Sequence, residues 1–112
     1  MPINFDLQDT LDQMLDSTKL AAGTAAKEAK KVAANFLKNR KERLALLAEL
    51  RLSGDLPGDK FTSRLNDEKL LLEAELNALA VFTKSSAQAT AQNVLNIFQS
   101  AVLSALPASL KK

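Results

Sequence analysis

The chain is 112 residues long, with 15 Lys and Arg against 13 Asp and Glu for a formal charge of +2, and it is 46% apolar and 25% charged. That is the balance of a folded protein of one domain rather than of a disordered chain. It has no His, Cys, Trp or Tyr, which excludes zinc sites of the usual kind, haem and iron–sulfur ligation, His-dependent nucleophiles, disulfides and the Glu-x-x-His metal centres of helical bundles.

Three Gly and three Pro are too few for a chain of short strands reversing roughly every ten residues. Helices are expected instead. The N-terminal stretch carries Asp6, Asp9, Asp12 and Asp16 and no base. A secretion signal would need positive charge and then an apolar run, so a cytoplasmic location is expected, with leaderless export still compatible. Asn4 or Asp6 suits a helix N-cap, and acids in the first turns suit the helix dipole.

From about residue 6 to 52, Leu7, Leu11, Met14, Thr18, Ala22, Ala25, Ala29, Val32, Phe36, Leu47 and Leu50 stay within one sector at about 100° per residue. This predicts a single long helix whose one weak interior point is Gly23. The dense turn signal is Ser53-Gly54-Asp55-Leu56-Pro57-Gly58. Gly54 is placed as the left-handed residue that ends a helix, and Pro57 follows as a stop. The two glycines with Lys60 lack the spacing and the Ser/Thr of a phosphate-binding loop.

From about residue 59 to 106 a second stripe follows: Phe61, Leu65, Leu72, Leu76, Leu79, Thr83, Ser86, Thr90, Val94, Ile97 and Ala101, with Pro107 and a short tail beyond. Each helix would be ~45 residues, or about 70 Å, long. Apolar and small residues recur every eleven positions (Met14, Ala25, Phe36, Leu47; Phe61, Leu72, Thr83, Val94), which predicts nearly straight helices. So short a connection predicts that they fold back on each other. The expected fold is all-α: one domain over residues 1–112, a long antiparallel two-helix hairpin that completes a four-helix bundle by self-association. Whether each helix runs unbroken through Gly23 and through Ser85-Ser86 is open at this stage.

Reflecting the chain about the turn sets Arg40 and Arg43, within the apolar sector of the first helix, opposite Glu68 and Glu75 at the edge of the second stripe. These four residues are expected to pair across the hairpin and hold its register. Two helices alone bury only a narrow seam, yet Leu71, Ala74, Ala78, Val81 and Phe82 form a second apolar sector, widened by Leu95, Phe98 and Val102. Apolar sectors without a partner inside the chain mark an interface. A second copy is the expected partner, a dimer first, with another helical protein next.

Lys27, Lys30, Lys31, Lys38 and Lys41 share one outward sector of the first helix. They form a basic track that would suit phosphates or an anionic membrane surface, although a solvated helix face explains them as well. The uncharged run from Ser85 to Leu110 is interrupted by Gln88, Gln92, Asn93, Asn96 and Gln99, against a spanning helix. In outline the expected hairpin resembles the small secreted hairpin proteins of the Trp-x-Gly type and the needle subunits of bacterial secretion machines. The chain has no Trp for the first, and Asp55-Leu56-Pro57-Gly58 supplies one proline for the second. The likeness is one of architecture and implies no function.

The sequence thus reads as a non-enzymatic, self-associating structural, scaffolding or adaptor protein with no cofactor and no metal. A membrane-active or exported hairpin is the alternative, and nucleic-acid binding through the lysine track the second.

Overall fold

A computed structural model describes residues 5–22, 26–80 and 82–107. The all-α expectation holds. Among the described residues there are four helices and no strand: α1 (Leu7–Ala22), α2 (Ala26–Leu52), α3 (Gly58–Asn77) and α4 (Lys84–Ala105).

The two long rods do not form. α1 packs against α2 and α4, α3 packs against α4, and α2 and α3 touch over a smaller area. The molecule measures 45 × 23 × 22 Å, whereas unbroken helices of the expected length would reach about 70 Å. The physical reason lies in the width of the apolar faces. A two-helix rod buries one seam, but when each half folds back, Phe82, Leu95, Phe98 and Val102, which lie outside that seam, also find partners inside the chain. All four helices of the core come from one chain, so the core itself does not require a second copy. The likeness to long hairpin proteins goes with the rods.

Local chemistry shows how α1, α3 and α4 begin. Asp6 starts α1, its Oδ1 accepting a hydrogen bond from the Asp9 backbone N–H at 3.1 Å. α2 ends at Leu52, and Gly54 follows with φ 86°, a backbone conformation that costs a residue with a Cβ. The Leu56 N–H then donates to the Leu50 carbonyl at 3.0 Å, and α3 begins after Pro57. α4 opens with a capping box: the Ser86 N–H donates to Thr83 Oγ1 at 3.0 Å, and the Thr83 N–H donates to Ser86 Oγ at 2.9 Å. Phe82 and Ala87 on either side are buried, at the two positions of a hydrophobic staple. Ser85-Ser86 is therefore the first turn of α4, and the break in the second rod falls just before it. At the other break, residues 23–25, including Gly23, lie outside the described residues.

The core holds Met14 from α1, Phe36 and Leu44 from α2, Phe61, Leu72 and Leu76 from α3, and Val94, Phe98 and Val102 from α4, each at most 1% exposed. Phe98 links three segments. Its ring stacks on Phe61 with centroids 6.3 Å apart and meets Phe5 edge-on at 6.1 Å. No helix among the described residues is long and apolar enough to cross a membrane.

Candidate functional site

The four residues assigned to register-setting ion pairs divide. Arg40 of α2 grips Glu68 of α3 with two parallel bonds, Nε to Oε1 at 2.7 Å and Nη2 to Oε2 at 2.6 Å. The Glu68 side chain is 3% exposed and that of Arg40 34%. This forked geometry is the strong form of the pair. The hydrogen bond to Glu68 raises the Arg40 guanidinium above its ordinary value. Burial opposes that rise, and the negative charges of Glu68 and Glu75 add to it. Arg43 and Glu75, by contrast, are both exposed and form no ion pair with each other. One bidentate pair ties α2 to α3 where two were expected.

The eight interface candidates divide as well. Phe82, Leu95, Phe98 and Val102 are at most 8% exposed and belong to the chain's own core, which corrects their assignment to a surface between copies. The folding back of α4 against α1 and α3 supplies their partners. Leu71, Ala74 and Ala78 stay exposed. Val81 lies outside the described residues.

Leu71 and Ala74 lie on α3 outside its buried stripe of Phe61, Leu65, Glu68, Leu72 and Leu76, and Ala78 is the residue that caps the helix. Leu70, which the sequence reading passed over, joins them. Leu70 and Leu71 keep 49% and 46% of their surface exposed. The missed signal was the pair of adjacent leucines ahead of Leu72. A helix face holding only one of three consecutive positions must leave the others elsewhere.

The lysine track is exposed at all five positions, Lys27, Lys30, Lys31, Lys38 and Lys41. Two of the five, Lys38 and Lys41, border the seam with α1. There a groove of about 230 Å³ is lined by Gln8, Leu11, Asp12 and Leu15 from α1 and by Ala34, Leu37, Lys38 and Lys41 from α2. The acidic start of the chain is thus laid beside its basic stretch. A second groove of about 410 Å³ runs along α4 between Gln13 and the small residues Ser100, Ala101 and Ser104. It gathers no charged side chain. Among the described residues no three Asp or Glu side chains converge as metal ligands would.

Compared with known protein families, curated proteins and solved structures, the chain matches none. Among its exposed large apolar residues, Leu70 and Leu71 are adjacent on α3, while Leu46 and Leu103 stand singly on α2 and α4.

Proposed function

We propose that this chain is a non-enzymatic structural or adaptor protein that binds a helical partner through the outer face of α3. The observation behind this reading is the exposure of Leu70, Leu71 and Ala74 on α3, with exposed Ala78 at its C-cap. The small side chains of Ala74 and Ala78 let a partner backbone come close, and Leu70 and Leu71 supply the apolar area. The absence of His and Cys leaves surfaces rather than a reactive side-chain cluster to do the work. Nucleic-acid binding by the lysine track has less behind it, since Asp12 shares a groove with Lys38 and Lys41 and offsets part of the positive charge that phosphates would meet.

Site-specific photo-crosslinking tests the reading. With Leu71→p-benzoylphenylalanine, expressed where the protein is made, a defined crosslinked species should form. It should be missing for the same substitution at Asn39, exposed on α2, and it should be lost when Ala74→Asp is added. Equal crosslinking at both positions would reject the α3 face as a binding surface.

A further inference from the structure

We propose that α4 is an exchangeable element: two copies of this chain swap their α4 helices, and α3 and α4 of each copy then run on as one helix through residues 78–83. The partner is a second copy, and the surface it fits is the one that α4 already covers on α1 and α3. The outer side of α3 is not involved.

The turns on either side of α3 differ in kind. Before it, Gly54 takes φ 86° and Pro57 follows, and neither suits a helix interior. After it the chain reads Ala78-Leu79-Ala80-Val81-Phe82-Thr83, with no Gly, Pro or Asn, and no described residue there has a positive φ. Ala78 is still helical at φ −72° and ψ −17°. The Leu79 and Phe82 N–H groups donate three residues back, to the Leu76 and Leu79 carbonyls, at 3.0 and 3.1 Å, the pattern of a tightened helical turn. The capping box of Thr83 and Ser86 starts α4 afresh, but no residue in the segment forbids a continuous helix.

The buried positions carry the argument further, because they keep one helical phase across the break. Leu65, Leu76, Ala87 and Phe98 follow one another at intervals of eleven, each at most 4% exposed. Phe61, Leu72 and Val94 keep the same phase and are each at most 1% exposed. Eleven residues are close to three full turns, so on one continuous helix all seven share a sector. A loop that only reverses the chain has no need to preserve that phase. The groove between α3 and α4 is lined by Thr62, Leu65 and Lys69 on one side and by Gln99, Asn96 and Gln92 on the other. These pairs of positions are equally distant from the middle of residues 78–83. A two-fold axis through that middle therefore lays the partner's α4 on α3 in the register that α4 holds now.

Exchange costs two capping boxes and gains the backbone hydrogen bonds of a continuous helix, while the core contacts of α4 are the same in both forms. The balance then falls on concentration and on the start of α4, where two substitutions move it in opposite directions. Thr83→Ala removes the cap acceptor, which acts only in the closed form. Lys84→Pro does the reverse. Lys84 is the first residue of α4, and Thr83 before it is extended at φ −89° and ψ 165°, the setting in which Pro begins a helix without strain. In a helix running through residues 78–83 the same Pro would stand in the interior and break it.

Refolding from urea at micromolar to millimolar concentration, followed by size exclusion with light scattering, tests the exchange. Wild type should be monomeric after refolding at low concentration and partly dimeric after refolding at high. That dimer should persist on dilution for as long as the core takes to open. Thr83→Ala should strengthen the dimer about 25-fold, about fivefold for each of two caps. Lys84→Pro should abolish it with helical circular dichroism retained. The placement of α4 is read by crosslinking, since the chain has no Cys of its own. Lys69→Cys and Gln92→Cys chains, substituted on facing sides of the α3–α4 groove, are mixed, refolded together at high concentration and treated with a short bismaleimide. The mixture should give a covalent dimer and neither variant alone should, because like positions on the two rods are separated by the rise from 69 to 92, about 34 Å. Wild type and Thr83→Ala both monomeric at every concentration, a folded Lys84→Pro that dimerises as wild type does, or a dimer without the mixed crosslink each overturns the exchange. Should Lys84→Pro lose its helices, the mixed crosslink decides alone.

Discussion

At the residue scale the energetic centre is the Arg40–Glu68 pair. A carboxylate 97% removed from water is tolerable only with its charge and oxygens satisfied. Removing one partner of a fully buried pair costs about 3–5 kcal/mol. Arg40 retains a third of its side-chain surface, so water reaches the vacated carboxylate, and Arg40→Ala should cost about 2 kcal/mol in urea unfolding at neutral pH. Replacing both at once, Arg40→Met with Glu68→Leu, should be nearly neutral, because neither charge is then stranded. The pH dependence has a definite sign. A cation whose value is raised in the folded state contributes stability that is complete below its ordinary value and lost only as pH climbs past the folded one. Arg40 is raised, so the gap between wild type and Arg40→Ala should stay constant from about pH 7 to pH 10.

At the scale of elements, the instructive feature is the division of the second rod. Period and sector ran without interruption from Phe61 to Ala101, and nothing in that pattern marks a reversal at Ala78–Thr83. The signal was chemical rather than periodic. Thr83 and Ser86 satisfy each other's backbone N–H groups, and Phe82 and Ala87 supply the flanking apolar contact sites. Capping boxes are usually sought as Ser/Thr followed by Glu/Gln three residues on, and here Ser takes the Glu position. Thr83→Ala removes the acceptor for the Ser86 N–H and should cost about 1 kcal/mol, lowering the thermal midpoint by several degrees. Thr83→Ser, which keeps the acceptor, should lose much less. The turn after α2 was legible for the opposite reason: Gly54 takes a positive φ, and the requirement for glycine there is written in the residue itself.

At the scale of the whole molecule, the question is which apolar surface belongs to the core and which to a partner. Leu71, Ala74, Ala78, Phe82, Leu95, Phe98 and Val102 look alike in sequence, each lying outside a single seam. Folding both rods in half separates them, sending the last four inward and leaving the first three exposed. Phe98→Ala should therefore act on stability rather than on association. It empties the site where Phe5, Phe61 and Phe98 meet and should cost about 3–5 kcal/mol, read as a large loss of denaturant midpoint. Preserved stability with altered molar mass would return Phe98 to an interface.

The fold-back also brings opposite charges near each other. Asp12 of the acidic N-terminus reaches the groove beside Lys38 and Lys41, although these residues are more than twenty positions apart in sequence. What the amino-acid sequence determined by itself is the set of short-range facts: helix on both sides of the glycine turn, the apolar stripe of α3, the glycine that ends α2, and the absence of His and Cys. Such facts depend on neighbours within a turn or two, and periodicity and residue chemistry report those neighbours directly. Only the tertiary structure decided that two rods become four helices and which apolar sectors stay outside. That choice turns on the total apolar area the chain can bury against itself, a property of all the helices together that no local window contains.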